Sequence, residues 1–163
     1  MSKKVARAVI VALVCLGYAG CCGYSTRSLL PTYLKTIHIA DVGNRTLRPL
    51  LGEDIYDQLI LDFSRDGRLR VTPDASADLA LRITITSYNR SAATYDNQKN
   101  ISEWSYRLKY EGKCIDQVKN STLWEGDEIV TEIVAADIDE DQGISTLIET
   151  VSDRIVRNVL LAW

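Results

Sequence analysis

Few side chains in this 163-residue sequence could do chemistry, and they fall in three places. Cys21 and Cys22 are adjacent thiols in the stretch YAGCCGYS, His38 is the only histidine, and Asp137, Asp139 and Asp141 punctuate the acidic run DIDED. Adjacent thiols can form a disulfide, share a metal or be acylated. A metal needs further Cys or His ligands at a motif spacing, which the chain lacks, and a bridge between neighbouring cysteines is strained. His38 lies between Ile37 and Ile39 in a strand-like alternation and should face away from the core, so a Ser-His-Asp or Cys-His site has little to be assembled from. The three aspartates occupy positions 1, 3 and 5 of an EF-hand loop. Position 6 is however Gln142, the glycine comes one place late at Gly143, and position 12 is Ile148 where a bidentate Glu is required. Helix capping is the better reading of DIDED. No glycine-rich phosphate loop or paired-cysteine zinc motif occurs. No catalytic residue, metal or cofactor is expected, and the protein is not expected to be an enzyme.

Acylation remains for the thiols, and the residues before them support it. Lys3, Lys4 and Arg7 form a positive n-region, and Ala8 to Leu16 (AVIVALVCL) forms an apolar h-region. That run is shorter than the ~20 residues a membrane-spanning helix needs, so an export signal over residues 1–20 is expected. A small residue directly before cysteine resembles a bacterial lipobox, in which the thiol is diacylated and the cysteine becomes the first residue. Cys21 is preferred because Ala19 and Gly20 precede it, although Tyr18 stands where the pattern favours leucine; Cys22 is the alternative, with Cys21 in the cleavage slot. Three acyl chains on one residue exceed the two signals required for stable anchoring, since each buried CH₂ contributes ~0.8 kcal/mol. The expectation is a protein tethered to a membrane without crossing it.

Removal of residues 1–20 moves the formal net charge from −3 to −6, which disfavours nucleic acid as a partner. Residues 21–100 carry ten Lys/Arg against nine Asp/Glu, while residues 101–163 carry six against thirteen, so basic contacts to an anion should come from the first half. The mature chain is long enough for one domain with a real core. Its cysteines are too few for a disulfide-stapled fold. Cys22 and Cys114 could pair in an oxidising compartment, but a buried thiol at Cys114 is favoured.

The elements that would carry these groups follow from periodicity. Residues 21–32 read as a lipidated polar tether and residues 33–163 as a single domain. LKTIHIADV alternates as a first strand. A helix from Pro49 to Arg65 places Leu51, Ile55, Leu59 and Phe63 on one face, with Tyr56 and Ile60 beside them, and Gly67 supplies a left-handed stop. RLRV is a short strand. LALRITITSY points Leu79, Leu81, Ile83 and Ile85 one way and Arg82, Thr84 and Thr86 the other. NRSAATYDNQKN reads as a long polar hairpin tip. The returning strand sets Trp104, Tyr106, Leu108 and Tyr110 on one face, more in keeping with a core under helices than with a ligand platform. Gly112 is read as a bulge in that strand, and CIDQVKNSTLW followed by EGDEIV as a turn and a last strand. A final helix carries Ile144, Leu147, Ile148, Val151, Ile155 and Val159 as its stripe, with carboxylates in front and Arg154 and Arg157 behind, as the helix dipole favours. The fold class expected is an α+β two-layer sandwich: a mostly antiparallel sheet of four to five strands with two helices packed on one face.

Several of these segments in order resemble the LPS-assembly lipoproteins of the LptE type: Cys22-Gly23-Tyr24, KTIHIADVGNRT, FSRDGRLRV, ADLALRITITSYNRS, the ID…STLWEGDE turn, and a C-terminal amphipathic helix. The similarity spans essentially the whole mature chain. It implies a non-enzymatic lipoprotein on the periplasmic face of the outer membrane that inserts as plug and partner into a large LPS-translocating β-barrel and assists LPS transport to the outer leaflet. It also makes Cys22 the counterpart of the lipidated cysteine, whereas the cleavage slot favours Cys21. The family is thought to meet lipid A through basic side chains near the hairpin of the long strands and near the start of the final helix. Arg90 and Lys99 are the hairpin candidates for LPS contact here. DIDED stands in place of a basic cluster before the last helix, and would repel phosphates.

Overall fold

A computed structural model describes residues 30–162. The expected signal, both candidate acylated cysteines and nearly all of the tether lie outside these residues. In chain order the elements are β1 (Thr36–Ile39), β2 (Gly43–Asn44), α1 (Leu51–Asp66), β3 (Arg70–Val71), β4 (Leu79–Tyr95), β5 (Ile101–Asp116), β6 (Ser121–Ala135) and α2 (Glu140–Leu161).

The architecture is the expected α+β two-layer arrangement, with a six-stranded mixed sheet. Its order is β3-β1-β4-β5-β6, and β2 pairs with β4 further along the edge that β1 occupies. The β4–β5–β6 meander is antiparallel, whereas β1 runs parallel to both β3 and β4. The parallel pairs follow from α1, which returns the chain so that β3 can enter beside β1 in the same direction. The loop of residues 72–78 then leads to β4 on the other side of β1. Asp78 fixes that junction: its carboxylate accepts from the backbone N–H groups of Lys35 and Thr36, both at 2.9 Å, and from the Thr36 hydroxyl at 2.8 Å.

Each helix buries the stripe its spacing marks. Leu51, Ile55, Leu59 and Phe63 of α1 are at most 1% exposed, and Gly67 closes the helix at φ 72°, a conformation that costs glycine nothing. In α2, Leu147, Val151, Ile155 and Val159 are fully buried. Opposite them lie Leu79, Leu81, Ile83 and Ile85 of β4 and Tyr106, Leu108, Tyr110 and Cys114 of β5, so the aromatic row is core. Leu30 also packs into this core, and the Tyr33 hydroxyl donates to buried Asp116 at 2.6 Å, so the fold is already engaged at residue 30. Cys114 is buried and has no disulfide partner among the described residues; burial, with a smaller contribution from the nearby Asp116 charge, pushes its thiol up to about 12.

Two local readings change. The segment NRSAATYDNQKN is mostly strand: β4 continues to Tyr95, and only residues 96–100 turn. Gly112 is not a bulge, since it pairs in regular register with Ile83 and Gly126; the absence of its side chain makes room for the Trp124 ring, which a Cβ there would meet at 2.3 Å. An extra residue in β4 is Thr86, where pairing passes from Ile85–Tyr110 directly to Ser87–Lys109; Ala93 is skipped likewise nearer the hairpin tip.

Candidate functional site

The bulge at Thr86 decides which side chains meet the start of α2. Before it, odd-numbered residues of β4 face the helices; after it, Tyr88, Arg90 and Ala92 do, opposite Leu108, Tyr106 and Trp104 of β5. Arg90 is thereby turned onto the helix-bearing face, with its guanidinium carbon 3.8 Å from the centroid of Trp104 and 5.6 Å from that of Tyr106. A cation over aromatic faces in a partly desolvated place gains about 0.5–2 kcal/mol.

Arg90 Nη1 also donates to Glu140 Oε2 at 2.8 Å. Glu140 is the first residue of α2, whose N-cap is Asp139; the Asp139 carboxylate accepts from the Asp141 N–H at 2.8 Å. A second arginine reaches the same carboxylate: Arg48 Nη1 donates to Glu140 Oε1 at 2.9 Å, and its Nη2 to Asp141 at 3.0 Å. Arg48 is presented by a short loop folded on Asn44, which accepts from the Thr46 N–H and donates to the Arg48 carbonyl. Two cations from the first half of the chain therefore clamp the acidic start of the last helix. DIDED caps α2 as expected, and no group of residues suited to a metal ion occurs among the described residues. Gly143, the near-miss of the calcium pattern, packs against Tyr106, whose ring a Cβ would meet at 2.8 Å.

Two buried polar atoms beside this clamp have no hydrogen-bond partner among the described residues, Arg90 Nε and Tyr88 Oη. Burial pushes the Tyr88 phenol above its ordinary range. An unsatisfied buried donor costs ~1–3 kcal/mol, so the clamp holds Arg90 in place at some expense of polar satisfaction.

Lys99, the other hairpin candidate, is not brought to Arg90. It is exposed in the turn beyond Tyr95, with φ 66°, and the strand end at Tyr95 already lies about 17 Å from Arg90 at ~3.3 Å per residue. The turn itself is ordered by Asp96, whose carboxylate accepts from the Gln98 and Asn100 N–H groups, each at 2.8 Å. The expected basic pair is thus one cation at a tip, with no ion-pair partner among the described residues, and one arginine already paired with a carboxylate. Arg48, Tyr88 and Glu140 were not among the expected contacts. The nearest sequence signal was the imbalance between a basic first half and an acidic second half, which implies that the halves meet but not where.

His38 lies on the helix-free face, as its alternation suggested, with Nδ1 3.3 Å from the Thr72 carbonyl. No helix among the described residues is long and apolar enough to cross a membrane.

The fold that carries the clamp is an α+β sandwich, two helices on one face of a mixed sheet with a long central hairpin. The chain belongs to the LptE lipopolysaccharide-assembly family, whose model matches residues 34–161. Solved structures share the fold at low identity. The hypothetical protein CT253 of Chlamydia trachomatis is 9% identical with a TM-score of 0.60, covering 78% of this chain and 96% of its own. Protein XCC0632 of Xanthomonas campestris is 12% identical with a TM-score of 0.59, covering 78% and 84%. An uncharacterized lipoprotein B of Nitrosomonas europaea is 13% identical with a TM-score of 0.54, covering 80% and 83%. None of the curated proteins compared with the chain matches it.

Proposed function

We propose that this protein is an outer-membrane lipoprotein, held on the periplasmic face through Cys21 or alternatively Cys22, that partners and plugs an LPS-translocating β-barrel and assists LPS transfer to the outer leaflet. It does so by binding and positioning, without catalysing a reaction. The observation that carries this reading is the family match, which spans β1 to the end of α2 and so takes in the whole two-layer fold. The lipobox-like Ala19-Gly20-Cys21 ahead of that fold supports confinement to the same membrane as the barrel.

Extraction of native membranes in mild detergent tests the partnership. Co-purification with a large β-barrel protein is expected, together with loss of surface LPS on depletion. Full-yield extraction of the protein alone, with surface LPS intact on depletion, would instead support a free-standing lipoprotein that binds a small ligand or scaffolds another envelope complex. Separate Cys21→Ser and Cys22→Ser substitutions followed by mass measurement of the mature N-terminus identify the acylated residue; a native N-terminus without acyl chains would refute the anchor.

For LPS contact, the clamp makes the two candidates unequal. Lys99 can meet a phosphate directly, whereas Arg90 must first give up Glu140. Lys99→Glu is expected to weaken LPS binding in vitro without altering stability, and Arg90→Glu to alter both. Unchanged LPS affinity in each variant would remove both residues from the contact surface.

A further inference from the structure

We propose that the helix-free face of the sheet carries a separate binding site for a small phosphate-bearing organic molecule, in a cleft of about 420 Å³ lined by His38, Ala40, Ala80, Arg82, Lys113 and Ile115 among others. The site stands apart from the Arg90–Glu140 clamp, which lies on the opposite face.

Strand register builds it. His38 is opposite Ala80, and Ala80 is opposite Ile115, which sets two small or apolar side chains beside the imidazole. The next positions along the same face are Arg82 and Lys113, directly opposite one another in an antiparallel pair. Like charges in that relationship are destabilising. Lys113 is offset by Glu125 at 2.7 Å, but Arg82 has no hydrogen-bond or ion-pair partner among the described residues. Glu111, one pair further on across from Thr84, makes no ion pair with it. The walls are held independently of any ligand. Gln117 donates from its side chain to the Ala75 carbonyl at 3.0 Å and from its backbone to the Asp78 carbonyl at 2.8 Å, tying the turn after β5 to the loop before β4.

Among the described residues no carboxylate lines the cleft itself; Glu111, Glu125 and Asp127 line the adjoining depression on the far side of Arg82 and Lys113. The nearby Asp74 carboxylate accepts from the Ser76 N–H at 2.9 Å, and backbone hydrogen bonding there holds it below the usual range. An unpaired guanidinium, an ammonium and an imidazole around an alanine-rich floor suit an anionic headgroup whose apolar part lies over Ala80 and Ile115. Such a group could come from a soluble organic phosphate or from a phospholipid headgroup.

The test uses the mature chain with Cys21 and Cys22 replaced by serine, so that the only binding to lipid is through the fold. Titration with glycerol 3-phosphate, followed by backbone amide NMR, is expected to give saturable shifts around Ala40, Ala80, Lys113 and Asn120. Arg82→Gln should weaken that binding about tenfold, as loss of a hydrogen bond to a charged group implies. Retention on phosphatidylglycerol vesicles that Arg82→Gln abolishes would assign the lipid source, and binding of the soluble phosphate alone the other. Absence of saturable shifts, or shifts indifferent to Arg82→Gln, would overturn the proposal. A second variant guards the argument without ligand. Arg82→Glu relieves the like-charge pair and should raise the urea midpoint; a lowered midpoint would show Arg82 to be a structural partner and remove the site.

Discussion

Arg90 is fifty residues from Glu140 in sequence, yet its Nη1 lies 2.8 Å from the Glu140 carboxylate while its guanidinium stacks on Trp104. The pair is 29% and 40% exposed, so its strength lies between that of a surface ion pair and a buried one. A double-mutant cycle of Arg90→Ala and Glu140→Ala is expected to give a coupling of about 1 kcal/mol from urea unfolding. Arg48 shares Glu140, so Glu140→Ala alone should cost more than Arg48→Ala. A coupling near zero would show the clamp to be ornamental to stability.

The same relationship shows what could be read from residue order. Stripes such as Leu51, Ile55, Leu59 and Phe63, or Tyr106, Leu108 and Tyr110, were legible because burial repeats with the period of the element that carries it. The acidic cap at Asp139 was legible for an equally local reason. Parallel pairing of β1 was not, because an apolar alternation does not say in which direction a neighbour runs. Nor was the facing of Arg90: one unpaired residue at Thr86 reverses the parity of the residues from Ser87 to Ala92, and nothing in ITITSYNRS marks Thr86 as that residue. The clamp joins side chains from three distant segments, for which the charge asymmetry of the two halves was the only available sign.

Gly143 permits α2 to lie against Tyr106 near its first turn. Gly143→Ala would gain up to about 1 kcal/mol of helix propensity in an open helix, but the new methyl meets the ring at 2.8 Å, and overpacking of that kind costs about 1–3 kcal/mol. The expected net result is a lower urea midpoint. Repeating the substitution in a Tyr106→Leu background, where the ring is gone, should turn the effect stabilising; persistent destabilisation there would place the cause in the helix backbone instead.

Cys114 makes stability fall at alkaline pH. Its folded thiol is pushed up to about 12 by burial, so folding favours the protonated form. The stabilisation is complete below the unfolded thiol's pKa of about 8.5 and is lost as pH rises toward 12, with a limiting slope of about 1.4 kcal/mol per pH unit. Burial, followed by the adjacent Glu128 charge, also pushes the Tyr110 phenol up, but its effect begins only above the unfolded phenol's pKa of about 10. Urea midpoints between pH 8.5 and 10 should therefore decline in the native protein and stay nearly level in Cys114→Ala. An equal decline in both would assign the loss to other groups. Native Cys114 should also resist thiol reagents at pH 8 and react once the chain is unfolded.

The bulge at Thr86 yields an unusual expectation about deletions. Removing Thr86 leaves Ile85 joined to Ser87, and these already pair with successive residues, Tyr110 and Lys109. Tyr88 and Arg90 would keep their faces, so this deletion in the middle of the longest strand should cost only about 1 kcal/mol, the scale of a local change in twist and the lost Thr86 hydroxyl bond to the Lys109 carbonyl. Removing Asn89 instead shortens the strand equally, but regular pairing would then turn Tyr88 out and Ser87 in. Loss of the partly buried tyrosine from the helix-bearing face, offset in part by hydration of its hydroxyl, should make that variant less stable than the Thr86 deletion by about 1 kcal/mol. Urea unfolding of the two variants measures the difference. Equal stabilities would mean that the bulge migrates along β4 to absorb either deletion, and that Thr86 has no special claim to it.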